Sequence, residues 1–303
     1  MARRTLVGTD SGLWILEDEA ARPVEALAAR AVTALALDGP TVWVLLDGSA
    51  LWESNGDRWT RRATLDGPSA TCVGPTRDGV LIGTEQAHLL RLSRSGLARV
   101  ATFEEVEGRE TWYTPWGDPA DVRSIAVGGD GVVHVNVHVG GVARSRDGGM
   151  SWAPTVDIEQ DVHQVLAHPS RAGVVLVASA EGFGVSRDGG DSWRFETAGL
   201  HAHYARAVAV ADDCVLLSAS TGPRGRRAAI YRRPFDAGAR FERCRDGLPE
   251  WFADNVDTGC LAATGPLVVC GTVDGRIYRS DDAGVTWTLA LKGLPPVRCV
   301  AAG

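Results

Sequence analysis

Side chains suited to binding and catalysis are concentrated in a few segments that separate short apolar runs. The longest is EGRETWYTPWGDPADVR, residues 107–123, and others are GLHAHYAR, SASTGPRGRR and LPEWFADNVDTG. Aromatic and charged residues on loops of a rigid scaffold are where ligands are usually bound. The ligand-contacting residues predicted from these segments and from the last apolar run are Trp112, Tyr113, Trp116, Arg123, Arg206, Ser220, Trp251, Asn255 and Arg298.

The same segments supply candidate catalytic groups, namely Asp121, Asp161, Tyr204, Asp254 and Asp257. A glycosidase needs two facing carboxyl groups, one as acid and one as base or nucleophile. Asp121 opposite Asp254 or Asp257 is one such pairing, although spacing along the chain leaves the separation open. No GxSxG elbow, phosphate-binding Walker loop or dinucleotide fingerprint occurs.

Three histidines are candidate ligands for a divalent metal ion, a possible cofactor. Alternation in VVHVNVHV places His134, Asn136 and His138 on one side of a strand, where interior polar groups need partners. His138 and His163 are expected near one another, and with His203, or with Asp161 or Asp257, they could bind zinc, iron or another divalent ion through imidazole nitrogen. The alternative interpretation is that these histidines are hydrogen-bonded packing residues, since no HExxH motif is present.

A unit of roughly 40 residues recurs along the chain, as a repeat architecture requires. Each unit opens with a short apolar run, such as AVTALAL, ATCVGP, VRSIAV, VHQVLAH or ARAVAV, and three further alternating runs follow. Short strands bounded by Gly, Asp and Pro, with no helical period, indicate an all-β protein. Four strands per unit around a ring predict a β-propeller of four-stranded antiparallel blades.

Counting gives seven blades only if the two ends of the chain combine. The last run, VRCVAAG, is an innermost strand with no blade after it, and TLVGTDSGLWILE has no innermost strand before it. Pairing these segments closes the ring and removes the free sheet edges. The sequence therefore predicts one seven-bladed domain over residues 1–303, with chemistry-bearing segments on one face of blades 4 to 7. Those long segments could alternatively only plug the channel.

An octet is repeated almost without change, as SRDGGMSW at Ser145, SRDGGDSW at Ser186 and SDDAGVTW at Ser280. The aspartates can accept backbone N–H groups within a tight turn, and the second glycine permits positive φ. Each tryptophan is expected to pack between blades. We therefore interpret the octet as structural, because three aspartates in separate blades cannot converge on one ion or substrate.

The octets resemble the Asp-box of bacterial neuraminidase repeat propellers, a group that includes sialidases, other glycosidases and photosystem assembly factors. The resemblance implies turns between third and fourth strands, on the face opposite the usual active site. Sialidases use an arginine triad, which Arg123, Arg206 and Arg298 could supply, and a tyrosine–glutamate pair. Tyr204 has no evident glutamate partner, and the sialidases' N-terminal signature is absent, so the resemblance implies architecture more than activity.

Composition excludes several classes of partner. The 303 residues carry a net charge of −7, which argues against nucleic acid or anionic membrane as partners. There is no apolar leader, no long apolar stretch and no CxxC pair among six cysteines, so we expect a cytoplasmic protein with free thiols. The predicted function is binding of a small molecule, glycan or peptide. The alternative is a hydrolase or lyase, and whether the protein is an enzyme stays open.

Overall fold

Seven four-stranded antiparallel sheets follow one another along the chain. The computed structural model describes residues 4–17, 20–235 and 238–303. Blade 1 contains β1 (Arg4–Thr9), β2 (Gly12–Glu17), β3 (Ala20–Pro23) and the last strand, β28 (Val297–Ala302). Blade 2 contains β4 (Val32–Asp38), β5 (Thr41–Leu46), β6 (Ala50–Asn55) and β7 (Arg58–Thr64). Blade 3 contains β8 (Ala70–Thr76), β9 (Gly79–Thr84), β10 (Leu89–Ser93) and β11 (Gly96–Arg99).

The other four blades repeat this order. Blade 4 contains β12 (Val122–Val127), β13 (Val133–Val137), β14 (Gly141–Ser145) and β15 (Ala153–Pro154). Blade 5 contains β16 (Val162–Ala167), β17 (Val175–Ser179), β18 (Gly182–Ser186) and β19 (Arg194–Glu196). Blade 6 contains β20 (Tyr204–Ala211), β21 (Cys214–Ser220), β22 (Ala229–Pro234) and β23 (Glu242–Arg243). Blade 7 contains β24 (Leu261–Thr264), β25 (Leu267–Gly271), β26 (Ile277–Ser280) and β27 (Thr288–Leu291).

Helical structure is confined to single short 3₁₀ segments in the described part of the chain, at Glu25–Leu27, Glu85–Ala87, Ala101–Glu105, Arg109–Thr111 and Ile158–Gln160. None of the helices in the described residues has the length and apolar character needed to cross a membrane. The predicted all-β, seven-bladed fold is confirmed.

The ring closes through the two ends of the chain, as the sequence predicts. Strand β28 pairs antiparallel with β1, with Thr5 opposite Ala302 and Val7 opposite Val300. Arg4 and Gly303 exchange backbone hydrogen bonds of 2.8 and 2.9 Å just beyond this ladder. Blade 1 is therefore built from both termini of the described chain, and its innermost strand, β28, pairs with its second strand, β1, as in the other blades.

The apolar core is divided into seven clusters, one at each boundary between neighbouring blades. Leu13 and Ile15 of blade 1 pack against Val42 and Val44 of blade 2, for example, and Val7 of blade 1 belongs to the cluster shared with blade 7. Strands buried on both faces read as continuous apolar runs, which explains the valine- and leucine-rich second strands. Packing between blades thus fixes the innermost strands around a central channel.

Each complete octet forms the turn between the third and fourth strands. In the first, the Asp147 carboxylate accepts the backbone N–H groups of Met150 and Ser151, both at 2.9 Å, and the Ser151 hydroxyl. Ser145 Oγ accepts the N–H of Gly149, whose φ is +89°. The Ser151 hydroxyl and backbone lower the pKa of Asp147 strongly. The side chains of Ser145 and Asp147 are thus used within their own turn.

The octets also contact the preceding blade. Arg144 Nη1 of blade 4 donates to the carbonyl oxygen of Gly189 in the blade 5 octet, at 2.8 Å. Arg232 of blade 6 donates in the same way to Ala283, at 3.3 Å. Arg91 of blade 3 donates to Gly148. We call the face that carries the octets the bottom face, and the face where innermost strands begin the top face.

Candidate functional site

β-Bulges in the innermost strands determine which side chains surround the top of the channel. In six blades, within the described residues, the pairing of the innermost and second strands shifts register close to the top face. A bulge leaves one residue unpaired and turns its side chain to a new direction. The residues passed over by the ladder are Thr33, Thr71, Arg123, His163, Arg206 and Arg298.

Four of these residues, but not His163 or Arg206, help to line a cavity in the channel with a volume of about 190 Å³. Its wall includes Thr33, Thr71, Arg123, Thr258 and Arg298. Liquid water occupies about 30 Å³ per molecule, so the space equals that of about six waters. The cavity is therefore suited to a small molecule or to the end of a larger one.

Two histidines meet one carboxylate beside this cavity. Asp161 Oδ1 lies 3.6 Å from His138 Nε2, and Asp161 Oδ2 lies 3.4 Å from His163 Nε2. His163 is 0% exposed, and its Nδ1 lies 2.6 Å from the carbonyl oxygen of Ala205. Because a carbonyl only accepts, Nδ1 carries the proton, and in a neutral ring Nε2 is then a bare acceptor.

Backbone strain accompanies this group. Asp161 has a φ of +41°, and Val139, directly after His138, has a φ of +39°. Positive φ is costly for residues with a side chain and most unusual for a β-branched one, at about 1–3 kcal/mol each. Such strain is concentrated at functional sites, where the surrounding structure holds it in place. The two strained residues flank the His138–Asp161 contact.

A phenol and a guanidinium group adjoin the histidines. Tyr204 lies with its ring 4.7 Å from that of His163, and the Arg206 guanidinium carbon lies 5.4 Å from the Tyr204 ring. Arg206 Nε is 2.9 Å from Asp257 Oδ1. Trp116 covers the group from outside, with its ring 5.1 Å from that of His138, and it is 64% exposed.

Burial and the arginine charges keep the imidazoles neutral. Burial, followed by the charge of Arg123, lowers the pKa of His138 to about 4. The pKa of His163 is also lowered, mainly by burial. Burial opposes ionisation of Asp161, but the surrounding histidines and the charge of Arg123 outweigh it, so the pKa of Asp161 is lowered. Burial raises the pKa of Tyr204. At neutral pH the group therefore holds neutral rings, one ionised carboxylate and guanidinium charges.

Several buried polar atoms in this group have no hydrogen-bond partner among the residues that the structure describes. They are Arg123 Nη1, Asp161 Oδ1, His163 Nε2 and Arg206 Nε; the last is close to Asp257 but its N–H is not directed at it. Buried polar groups are nearly always satisfied in native proteins, so a cluster of exceptions requires an explanation. The concentration of unpartnered donors and acceptors around the channel mouth marks this group as the candidate site.

Other residues predicted to bind ligand have structural contacts elsewhere. Arg298 lines the same cavity as Arg123 and also forms an ion pair with Asp10. Trp251 packs against the guanidinium carbon of Arg243, 3.7 Å from the ring centre, and against His201. The contribution of both residues to binding stays a prediction, and the packing of Trp251 does not favour it.

Blades 6 and 7 use two more of the predicted residues to stabilise a loop. Ser220 Oγ donates to the carbonyl of Gly222 at 3.0 Å. Asn255 Nδ2 lies 3.3 Å from the carbonyl oxygens of Gly222 and Pro223. Both side chains are buried and hold residues 220–223 against the segment before blade 7.

The predicted carboxylate pairs are not brought together by these contacts. Asp254 Oδ1 accepts the backbone N–H of Asn255 at 2.7 Å. Asp121 Oδ1 accepts the N–H of Gln86 at 3.3 Å, and burial raises its pKa. Asp257 faces Arg206 and Asp161 faces the histidines. A two-carboxylate glycosidase site built from Asp121 with Asp254 therefore has no geometric support.

The long insertion before blade 4 is fixed by packing. Arg109 Nη1 donates to the Ala87 carbonyl and Nη2 to Glu104, both at 2.7 Å. The Trp112 ring lies 5.0 Å from the Arg109 guanidinium carbon, within the core shared by blades 3 and 4. Trp112 thus supports the loop, whereas Tyr113 and Trp116 are left exposed above the channel mouth.

The predicted metal ligands do not assemble as a set. His138 and His163 face the same carboxylate, as their equal height predicts, but His203 is exposed. Within residues 4–17, 20–235 and 238–303, no group of three or more His, Cys, Asp or Glu side chains could hold a metal ion.

Sequence reasoning did not identify the threonines that line the channel. Thr71 and Thr258 donate their hydroxyl protons to backbone carbonyls, Thr71 to Val122 and Thr258 to His163 or Arg206. Thr33 occupies the bulge position in blade 2. Thr33, Thr71 and Arg123 share one signal: each is a polar residue in the second position of an otherwise apolar innermost strand.

Comparison with known proteins gives structural likeness only. No protein-family model matches the chain, and no curated protein does either. An ancestral GH74 enzyme is similar over the whole chain, with a TM-score of 0.63 and 16% identity, but the chain spans only 40% of that enzyme. U3-55K has a TM-score of 0.64 and 13% identity, with 99% of this chain and 88% of that one covered.

A third similar structure is the WD40 β-propeller domain of Doa1, with a TM-score of 0.62 and 15% identity, covering 93% of this chain and 83% of that one. Identities this low show the fold alone, and a fold hosts many functions. The comparisons therefore support a β-propeller, and no sequence match extends the resemblance to Asp-box proteins beyond its motif.

Proposed function

We propose that this protein binds a small anionic ligand in the channel cavity at the top face, with Arg123 holding the negative charge. The observation that carries the proposal is the state of the Arg123 side chain. It lines the cavity, and its Nη1 is buried with no hydrogen-bond partner. A guanidinium offers donors in a fixed fork that matches a carboxylate or a similar oxyanion.

The charges around Arg123 support an anion over a cation. Burial and the charge of Arg206 lower the pKa of Arg123, which shows that the two guanidiniums disfavour each other. The nearby carboxylates lie against other groups, Asp161 against the imidazoles of His138 and His163 and Asp257 against Arg206. An anion on Arg123 would relieve the repulsion between like charges and satisfy a buried donor at once.

The size of the cavity favours a small molecule over an enclosed polymer. About 190 Å³ holds about six non-hydrogen atoms if each takes the space of one water. A glycan or peptide would have to lie across the mouth, where Tyr113 and Trp116 are the exposed rings. Its charged end could still reach Arg123.

The test compares propionate with propanamide, which has nearly the same shape and no charge. By isothermal titration calorimetry, propionate should bind and propanamide should bind at least about tenfold more weakly. Arg123→Gln should weaken propionate binding by about 10- to 100-fold, the usual value of a hydrogen bond to a charged group. Arg146→Gln, on the bottom face, is the matched control and should leave binding unchanged. Equal affinity for the two compounds would contradict the proposal.

A second candidate, a hydrolase or lyase, is favoured by one observation. Asp161, His163 and Tyr204 place a carboxylate, a bare imidazole acceptor and a phenol side by side. Such groups could move protons in acid–base catalysis. The similarity to an ancestral GH74 enzyme is in keeping with hydrolysis, although only the fold is shared at 16% identity.

This candidate is tested with chromogenic 4-nitrophenyl glycosides. Release of 4-nitrophenolate by the wild-type protein and its loss in Asp161→Asn would support an enzyme. Asparagine tolerates the positive φ at this position, so the variant is expected to fold. The exposed His203→Gln variant is the control and should retain any activity. Absence of turnover with the wild type would contradict the hydrolase candidate, and ligand binding would be the remaining proposal.

A further inference from the structure

A polar arc crosses three consecutive blades at the wall of the cavity. Thr33, Thr71 and Arg123 occupy the same bulge position in blades 2, 3 and 4, and all three line the cavity. The innermost strands of these blades are direct neighbours. Two hydroxyls and one guanidinium therefore follow one another at one level of the channel.

The threonine hydroxyl groups of this wall donate their protons to backbone carbonyl groups. Thr71 donates to the carbonyl of Val122, and Thr33 donates to that of Leu45 at 3.4 Å. Thr258, on the same cavity, donates to the carbonyl of His163 at 3.0 Å or of Arg206 at 3.1 Å. A hydroxyl has one proton and two lone pairs, so these oxygens face the cavity as acceptors.

The remaining wall does not satisfy these acceptors. Gln164, which also lines the cavity, uses Nε2 on the Val208 carbonyl and Oε1 on the Val208 N–H. Much of the rest of the wall is apolar, including Val73, Ile125 and Val165. A ligand that fills the cavity must therefore bring hydrogen-bond donors toward the threonines and a negative charge toward Arg123.

We infer that the ligand is a short hydroxylated carboxylate, with its acid group on Arg123 and its hydroxyl groups donating to Thr71 and Thr33. This inference rests on the proposed anion-binding function and specifies the chemical class of the ligand. A plain carboxylate offers only acceptors, so it would fill the position at Arg123 and leave the threonine oxygens without donors. An acid of three or four carbons fits the cavity volume.

The experiment uses three acids of similar size that differ in hydroxyl number: propionate, lactate and glycerate. Affinity measured by calorimetry should rise in that order, by about threefold to tenfold per hydroxyl, because a neutral hydrogen bond contributes about 0.5–1.5 kcal/mol net. Propionate binding as tightly as glycerate would overturn the inference while the anion-binding function stands. If no acid and no sulfate binds, the proposed function itself fails.

Variants locate the hydroxyl contact. Thr71→Val keeps the shape of the side chain and should lower the preference for glycerate over propionate by about threefold to tenfold, the contribution of one hydroxyl group. Thr155→Val is the matched control, because the Thr155 hydroxyl also donates to a backbone carbonyl, that of Val142 at 3.0 Å, away from the cavity. If Thr71→Val does not fold, the binding of 2-methoxypropanoate to the wild-type protein is measured instead. This ether lacks the hydroxyl proton of lactate and should bind no better than propionate; binding equal to lactate would overturn the inference.

Discussion

Arg144 Nη1 of blade 4 and the carbonyl oxygen of Gly189 in blade 5 lie 2.8 Å apart, joined by a hydrogen bond across the blade boundary. The same nitrogen lies 2.7 Å from Asp191 Oδ1. Arg232 and Ala283 repeat the relationship between blades 6 and 7. The octet therefore has two roles in this chain: its aspartate closes its own turn, and its backbone accepts an arginine from the blade before.

Replacing Arg144 tests this relationship. Arg144→Gln should destabilise the protein by about 1–2 kcal/mol, because the half-buried Gly189 carbonyl loses its donor. The Arg144 side chain is 10% exposed, whereas that of Arg146, which pairs only with Asp191 in the described structure, is 54% exposed. Arg146→Gln is the control and should have the smaller effect in urea unfolding. Equal effects would show that the surface ion pair, and not the contact between blades, is what matters.

Close packing between blades gives a second prediction. A Cβ at Gly83 would lie 2.3 Å from Val122 Cγ1 and 2.6 Å from Cys72 Sγ, with the core of blades 3 and 4 behind them. Gly83→Ala should therefore cost about 1–3 kcal/mol by overpacking. Gly129→Ala is the control, because a Cβ there meets nothing within 4 Å. Thermal unfolding compares the two, and a stable Gly83→Ala would mean that the blades can separate more readily than their contacts suggest.

The buried side chain of His134 should make the protein less stable at acid pH. Burial, then the charge of Arg144, lowers the pKa of His134 from 6.5 to about 4. As pH falls through 6.5 the unfolded chain binds a proton that the folded chain does not, so stability falls until about pH 4. The loss for this group is roughly 3 kcal/mol at most, at 1.36 kcal/mol per unit.

Urea unfolding at pH 7 and at pH 4.5 measures this effect. His134→Gln removes the titrating group and should reduce the difference in stability between the two pH values. His203→Gln, at an exposed position, should leave that difference as it is in the wild type. The prediction fails if His134→Gln shows the wild-type difference.

We expect ligand binding to change the fluorescence of Trp116. Its ring lies over His138 at the channel mouth, whereas Trp251 is packed between His201 and Arg243. Glycerate binding should change tryptophan fluorescence in the wild type and in Trp251→Phe, and the change should be much smaller in Trp116→Phe. A signal that disappears with Trp251 instead would place the ligand over blade 6.

The fold was predictable because its signals are local and repeated. Alternating apolar runs, turn glycines and three copies of one octet each specify a strand or turn without reference to distant residues. Ring closure followed from unpaired segments such as VRCVAAG and from the cost of free sheet edges. These patterns are enough to place blades and faces.

The site was predictable only in part. His138 and His163 were expected at equal height, and they do face one carboxylate. The bulges that turn Arg123 and Thr71 into the channel depend on register between strands, which no local pattern reveals. Trp251 looked equivalent to Trp116 by composition, yet its neighbours Arg243 and His201 bury its faces, a contact set by tertiary packing.

The pairing of β28 with β1 has a consequence for synthesis on the ribosome. Blade 1 needs residues 297–302, so it is incomplete until nearly all the described chain has been translated. Until then β1 exposes an unpaired edge, and the core shared by blades 1 and 7 lacks Val297 and Val300. Contacts of such large sequence separation form late and slowly. Strand β1 therefore stays without its inner partner until residues 297–302 have been made.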